Sequence, residues 1–201
     1  MERLVVATRN RKKTGEIRAQ LAGVMKVVDV GELEEEGLVL PEVEETGTTF
    51  LANATLKAVG ISREVGGWVL ADDSGLEVDA LGGEPGVWSS SYGGEEGNHG
   101  KNNARLQEEL GKVAEGERGG RFRCVMVLAR GGVVAADFAG AVKGRLVIRG
   151  RGDEGFGYDP HFVPEGYEET FAELGMEVKN GLSHRSRALV QVVAWLNERG
   201  S

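Results

Sequence analysis

Two neighbouring carboxylates, Asp72 and Asp73, follow a short apolar run at residues 67–71 of this 201-residue chain. A run of this length predicts a β-strand that is buried on both faces and ends at the carboxylates. Side chains alternate between the faces of a strand, so we expect the two carboxylates to point in different directions unless the strand ends between them. Gly75 is expected to turn the chain just past them. Such carboxylates can bind a divalent cation or activate water, although Asp, Ser and Gly are equally typical of a solvated turn.

A polar segment at positions 8–13, with four basic residues, forms a second candidate site. It follows a short apolar strand at residues 4–7, and Ile17 and Leu21 predict a helix that starts near Lys12 and ends at Gly23. The backbone N–H groups at a helix start carry positive potential, and with the polar and cationic side chains of this segment they would bind a phosphate group. The segment lacks the glycines of a Walker loop. The alternative is an ordinary basic turn on the surface.

Two further stretches have the residue types that recognise a nucleotide. Phe156 lies between two glycines and can stack on a flat base, a contact worth roughly 1–3 kcal/mol, while Asp159 could hydrogen-bond to the base edge. A turn with core aromatics explains this stretch equally well. His184 and Arg185 open the last helix after Ser183, where cations oppose the helix dipole. This placement favours an anionic or base ligand, and Lys179 lies just upstream.

An acidic, irregular segment covers residues 32–45, and most of its side chains are expected to face water. A divalent cation would need one or two of these carboxylates close to Asp72 or Asp73. The sequence alone does not choose among Glu42, Glu44 and Glu45.

Helices and strands alternate along the chain in a way that predicts an α/β fold. Thr48 or Thr49 caps a helix that begins near Phe50, and Asn53 and Lys57 on a neighbouring face of this helix are interpreted as facing solvent. The other predicted elements are a strand at 26–29, a loop at 76–100, a helix at 101–110, a hairpin of strands at 121–129 and 133–142, and a strand at 144–148. Consecutive strands predict a mixed rather than a purely parallel sheet.

The composition excludes several classes of protein. The net charge is −8, so we expect no non-specific nucleic-acid binding. Hydrophobic residues make up 40% of the chain, which is enough for a core, and the length suits one domain. No apolar stretch approaches the ~18 residues of a membrane span. One cysteine, Cys124, and three scattered histidines leave no disulfide framework or Cys/His metal site, and we expect a cytoplasmic protein.

Five motifs occur in order along nearly the whole chain: ATRNRKKTGEI at 7–17, EETGTTF at 44–50, ADDSGLEVDALGGEPG at 71–86, GFGYDP at 155–160 and SHRSRAL at 183–189. Together they resemble the inosine triphosphate pyrophosphatases, which act on noncanonical purine NTPs. The resemblance implies Mg²⁺-dependent hydrolysis of ITP, dITP and XTP to the monophosphate and pyrophosphate, which cleanses the nucleotide pool. It also implies a homodimer whose single domain, residues 1–201, has an elongated mixed sheet flanked by helices and two lobes with a nucleotide cleft between them.

The resemblance implies a role for individual residues. Asp73 would be the catalytic acid/base and a metal ligand, supported by Asp72, and Glu44 is our choice as second metal ligand. The expected substrate-binding residues are Thr8, Arg9, Asn10, Arg11, Lys12, Lys13, Ser74, Phe156, Gly157, Tyr158, Asp159, Lys179, His184 and Arg185. His184 and Arg185 would read the purine 6-oxo group, because a donor there accepts hypoxanthine and xanthine but opposes the amino group of adenine.

One stretch departs from the family pattern. Family members commonly have Ser-Ala-Arg-Tyr after Pro-Gly-Val, whereas this chain has WSSSY at 88–92, so no role of that arginine is carried over. Two alternative functions stay open at this point. One is a related pyrophosphatase that prefers modified pyrimidine or other NTPs, and the other is a nucleotide-binding regulator without catalysis.

Overall fold

A mixed sheet organises the computed structural model, which describes residues 3–199. Its strands are β1 (Arg3–Val6), β2 (Lys26–Asp29), β3 (Trp68–Val78), β4 (Gly119–Arg130), β5 (Val133–Leu146) and β6 (Phe162–Pro164). They lie in the order β2-β1-β3-β4-β5-β6. Strand β1 pairs in parallel with β2 and β3, whereas β5 and β6 are antiparallel. The predicted α/β class with a mixed sheet is therefore confirmed.

The helices are α1 (Arg11–Gln20), α2 (Val30–Glu35), α3 (Phe50–Glu64), α4 (His99–Leu110), α5 (Phe171–Leu182) and α6 (His184–Arg199). Side chains cap the starts of several of them: Asn10 caps α1, Thr49 caps α3 and Thr170 caps α5. These caps satisfy backbone N–H groups that have no partner inside the helix. Within residues 3–199, no helix is both long enough and apolar enough to cross a membrane.

The chain forms two compact units. The first comprises residues up to Asp73, Cys124–Gly140 and the residues from Arg185 onward. Its core follows the alternation of β3, because Leu70 belongs to one apolar cluster with residues of α1 and α6, and Val69 belongs to another with residues of α3.

The second unit comprises Ser74–Arg123 and Ala141–His184. Aromatic side chains fill its core, where the rings of Phe122 and Phe162 lie 4.7 Å apart and Phe171 packs beside both. Burial of such rings is a large apolar contribution to the stability of this unit.

Three predictions about these elements were wrong. Strand β3 does not end at Asp72 and Asp73 but continues to Val78, so Gly75 lies inside the strand and makes no turn. Part of the acidic segment predicted to be irregular forms α2, which starts with a capping box between Asp29 and Glu32. The separate strand predicted at 144–148 is the end of β5. The β4–β5 hairpin and the α3 helix capped by Thr49 were predicted correctly.

Candidate active site

The two faces of β3 direct Asp72 and Asp73 to different helices. Asp72 follows Leu70 on the face that packs with α1 and α6, and Asp73 follows Ala71 on the face that packs with α3. The continuous strand keeps this alternation intact. The prediction that the two carboxylates point in different directions is confirmed by their separate sets of partners.

Asp72 is fully enclosed and surrounded by cations. Its Oδ2 atom lies 3.2 Å from Nζ of Lys13 at the start of α1, and Nη2 of Arg185 at the start of α6 donates to the same oxygen at 3.1 Å. Arg185 also pairs with the buried carboxylate of Glu16. Burial alone would raise the pKa of Asp72, but Lys13, Arg185 and Lys57 together hold it far below its ordinary value. Asp72 is therefore a permanent anion that fixes two cations.

Asp73 has a different environment. Asn53 of α3 donates from Nδ2 to Oδ2 of Asp73 at 3.1 Å, and Nζ of Lys57, one turn later, lies 4.0 Å from Oδ1. Burial raises the pKa of Asp73 to about 6, with a further contribution from the negative charge of Glu45 and an opposing one from Lys57. A carboxylate with a pKa in this range can take up and release a proton near neutral pH.

Sequence reasoning missed Asn53 and Lys57 as site residues, because it interpreted both as facing solvent. The structure buries Asn53 at 2% exposure and places both residues on Asp73. Their spacing of four residues was the available signal, since it puts two polar side chains on one helix face. Glu16 was also missed, and nothing in its position on α1 distinguishes it from a surface carboxylate until Arg185 is placed beside it.

The segment before α3 runs along this helix and decides which glutamate approaches Asp73. Its odd-numbered residues contact the helix: a Cβ at Gly60 would lie 2.8 Å from Val43, Glu45 pairs with Lys57 at 3.0 Å, and the N–H of Gly47 donates to Asn53 at 2.7 Å. The even-numbered residues Glu42, Glu44 and Thr46 are exposed, and so is Glu45, whose side chain is 44% exposed; what distinguishes Glu45 is its ion pair with Lys57. Among the described residues of this segment, Glu45 rather than our choice Glu44 is held beside Asp73.

The basic segment at 8–13 divides between structural and site roles. Asn10 accepts the backbone N–H groups of Lys12 and Lys13, so it is the N-cap that the helix start requires. Thr8 in turn accepts the N–H of Asn10. Lys13 reaches Asp72, whereas Arg9 pairs with Glu34 of α2 at 2.7 Å; Arg11 pairs with Glu35 of the same helix. Binding of the triphosphate by this segment stays a prediction.

The second unit holds the aromatic candidate. The carboxylate of Asp159, only 2% exposed, accepts the backbone N–H of Phe156 at 2.8 Å and pairs with Lys179 at 2.7 Å. The Nζ atom of Lys179 lies 4.3 Å from the centre of the Phe156 ring, a cation–π contact. Tyr158 donates to the carbonyl of Ser89, and the carbonyl of Gly157 accepts from Asn103. These contacts fix the shape of the segment that carries Phe156.

Three other predicted substrate contacts have defined positions. His184 is buried and stacks on Phe122 with ring centres 4.9 Å apart, whereas Arg185, the next residue, belongs to the Asp72 group. Ser74 follows Asp73 in β3 and is partly buried. The proposed roles of these residues toward a substrate stay predictions.

The donor set around Asp73 fits a magnesium ion. Within residues 3–199 there is no group of three or more His, Cys, Asp or Glu side chains that could hold a metal alone. Magnesium commonly keeps several waters and binds through one or two carboxylates together with substrate phosphates. Asp73 and Glu45 supply two oxygen donors of this kind, and the like charge of Glu45 raises the pKa of Asp73, a repulsion that a divalent cation would relieve.

This fold and site define a class: α/β proteins with a mixed sheet in which helix starts bring cations to a pair of buried carboxylates, a device suited to a phosphate-rich ligand. The model of the Ham1 family matches residues 4–195, and the chain belongs to this family.

Named relatives and solved structures agree with this assignment. The chain is 43% identical to the dITP/XTP pyrophosphatase of Bacillus licheniformis over 98% of this chain and 100% of that protein. It is 44% identical to the dITP/XTP pyrophosphatase of Geobacter sulfurreducens over 100% of this chain and 99% of that protein. The structure of a HAM1 protein from Coxiella burnetii matches with a TM-score of 0.87 at 34% identity, covering 98% of this chain and 100% of that one.

Proposed function

We propose that this protein hydrolyses noncanonical purine nucleoside triphosphates, namely ITP, dITP and XTP, to the nucleoside monophosphate and pyrophosphate. Relatives that are 40–44% identical over 98–100% of this chain carry the name dITP/XTP pyrophosphatase, which supports this substrate class. The observation that carries the proposal is the buried pair on β3, in which Asp73 has a pKa of about 6 while its neighbour Asp72 stays ionised.

The two carboxylates have separate roles in this reaction. Asp73 accepts a proton from the attacking water, for which its raised pKa suits it near neutral pH. Asp72 does not titrate in this range and instead keeps Lys13 and Arg185 in position. Lys57, held between Glu45 and Asp73, adds positive charge where the phosphate chain becomes more negative. Mg²⁺, when bound to Asp73 and Glu45, would supply Lewis-acid stabilisation of phosphate oxygens.

Recognition of the base is assigned to residues of the second unit and to the start of α6. Phe156 stacks on the purine, with Gly157, Tyr158, Asp159 and Lys179 shaping the wall around it. His184 and Arg185 donate to the 6-oxo group, which inosine and xanthosine nucleotides carry and adenosine nucleotides lack. Guanosine nucleotides carry the same group, so this contact discriminates against ATP and not against GTP. We further propose that the protein acts as a cytoplasmic homodimer, which light scattering coupled to size-exclusion chromatography would test.

A substrate panel tests the function. With Mg²⁺ present and pyrophosphate as the assayed product, ITP, dITP and XTP should be turned over with much higher kcat/KM than ATP, GTP or dUTP. Equal turnover of GTP and ITP, or a preference for dUTP, would contradict the proposal.

Replacement of Asp73 separates an enzyme from a binding protein. Asp73→Asn should lower kcat by about 10² to 10⁴, the usual contribution of a general base, with the fold retained. Asp153→Asn, at an exposed position, is the matched control and should be as active as the wild type. If Asp73→Asn weakened binding and left kcat unchanged, this result would contradict the catalytic role of Asp73.

A further inference from the structure

Helix α5 consists of two halves, and the second half carries Lys179. Gly175 breaks the helix with φ 79° and ψ 171°, a conformation that favours glycine. Lys179 is 2% exposed, and it contacts both Asp159 and the ring of Phe156. The position of this lysine therefore depends on what fixes the second half of the helix.

Glu154 contacts both halves of α5. Its backbone N–H donates to the carbonyl of Ala172 in the first half at 3.3 Å. Its Oε2 atom accepts the backbone N–H of Met176, the residue just past the break, at 3.2 Å. A Cβ at Gly175 would lie 3.1 Å from the same oxygen, so the carboxylate sits directly against the break. Negative charge at a helix start is also favoured by the helix dipole.

The loop that carries Glu154 is itself fixed to the first half of α5. Thr170, the cap of this helix, donates from Oγ1 to the carbonyl of Arg151 at 2.7 Å. The Nε atom of Arg151 pairs with Glu173 at 3.2 Å. A Cβ at Gly152 would collide with the backbone of Ala172, which shows how closely the two backbones approach. Glu154 extends this anchored loop across the break.

We propose that Glu154 is a positioning residue, which holds Lys179 beside Phe156 by capping the second half of α5. The segment from Glu154 to Asp159 then contacts this half-helix at two points one turn apart, at Met176 and at Lys179. The inference rests on the proposed function, in which Phe156 and Lys179 bind the substrate. Glu154 is exposed, so its replacement need not unfold the unit.

Steady-state kinetics with ITP test this role. Glu154→Ala removes the capping oxygen, and we expect KM to rise about three- to tenfold, the range that follows from the loss of a helix cap. The value of kcat should change less than about twofold, because the partners of Asp73 lie in the first unit. Glu154→Gln keeps an oxygen acceptor at the same reach and should restore most of the affinity. Asp153→Ala removes the same charge from the neighbouring exposed residue and should match the wild type.

Hydrogen exchange measured by mass spectrometry gives a readout that does not depend on activity. Backbone amides of residues 176–182 should exchange faster in Glu154→Ala than in Asp153→Ala, with Glu154→Gln close to the wild type. Equal exchange and equal KM in the two alanine variants would overturn the inference, and so would a lower kcat at unchanged KM. If the wild type did not hydrolyse ITP, the proposed function would fail, whereas the exchange comparison would still decide whether Glu154 holds the half-helix.

Discussion

Asp72 and Asp73 are adjacent and both buried, yet their pKa values move in opposite directions. Burial raises the pKa of each carboxyl, so the difference comes from the neighbouring charges. Lys13 and Arg185 lie against Asp72, while Lys57, 4.0 Å from Asp73, is shared with Glu45. Because adjacent residues of β3 face opposite sides of the sheet, Asp72 stays ionised while Asp73 titrates near neutral pH.

Asp73→Asn should make the protein more stable at neutral pH. The folded-state pKa of about 6 exceeds the ordinary value of 3.8, so the folded protein holds a proton that the unfolded chain has released, and stability falls as the pH rises between these values. Asn has no charge to desolvate and keeps a contact with Asn53. We expect a gain of about 1–3 kcal/mol in urea unfolding near pH 8, which disappears near pH 4. A variant less stable than Asp153→Asn near pH 8 would show that the charge of Asp73 is well compensated.

Asp72→Asn should have the opposite effect. The lowered pKa of Asp72 means that its charge stabilises the fold above the ordinary carboxyl pKa, and this stabilisation is lost as the pH falls below about 4. Replacement leaves Lys13 and Arg185 beside a neutral amide, and breaking a buried ion pair in this way costs about 3–5 kcal/mol. Urea unfolding near pH 7 should show a loss of this size, which shrinks at low pH. A cost near zero would mean that Glu16 alone compensates Arg185.

At the scale of a single element, helix α3 shows what sequence patterns can and cannot predict. The pattern identified its cap and its apolar face, but a polar pair on a neighbouring face has no preferred interpretation until the partner of that face is known. The structure places Asp73 of β3 opposite Asn53 and Lys57, and the acidic segment packs along the same helix. These segments follow one another in the sequence, but only the packing of α3 on β3 shows which of their side chains face each other.

Lys57→Met tests the contribution of this helix face. Burial lowers the pKa of Lys57, but Asp72, Asp73 and Glu45 outweigh it and keep the lysine charged. Because this charge lowers the pKa of Asp73, its loss should move the acid limb of the pH–kcat/KM profile to higher pH and reduce turnover near pH 7 about tenfold. Lys26→Met removes an exposed lysine of β2 and serves as the control. If the acid limb did not shift, Lys57 would have no effect on the pKa of Asp73 in the working enzyme.

Strand β3 was predicted too short for a physical reason. Asp, Ser and Gly favour turns when their surroundings are unknown, and residues 72–75 contain nothing else. In the structure, buried cations and the amide of Asn53 receive the carboxylates, so the strand continues through them. Gly75 is then required for space rather than for a turn, because a Cβ there would collide with Ser89 and with the carbonyl of Gly86.

Gly75→Ala should therefore destabilise the protein through a clash. The neighbouring carbonyl belongs to backbone and has little room to give way, so we expect a loss of about 2–4 kcal/mol in urea unfolding. Gly66→Ala is the matched control, because a Cβ at Gly66 meets nothing within 4 Å. If the two alanine variants were equally stable, the close approach at Gly75 would not be a constraint on β3.

At the scale of the whole molecule, family motifs predicted more than local patterns did. The α/β class, the mixed sheet and the family followed from the sequence, and the structure brings Lys13 and Arg185 to Asp72 and Asn53 to Asp73 from distant positions. The choice among three glutamates did not follow, because it depends on which side of an irregular segment contacts α3. Such a register is set by packing and leaves no periodic pattern in the sequence.

The effect of Mg²⁺ on Tm tests which glutamate binds the ion together with Asp73. A ligand that binds only the folded protein stabilises it by RT ln(1 + [L]/Kd), about 1.4 kcal/mol at ten times Kd, which for a chain of this length raises Tm by about 3–6 °C. We expect Mg²⁺ to raise Tm in the wild type and in Glu44→Gln, and to have little effect in Glu45→Gln or Asp73→Asn. NaCl at matched ionic strength controls for screening, and the comparison uses the Mg²⁺-induced increment because Asp73→Asn changes the starting Tm. Retention of the increment in Glu45→Gln and its loss in Glu44→Gln would show that Glu44, rather than the Glu45 that pairs with Lys57, supplies the second ligand.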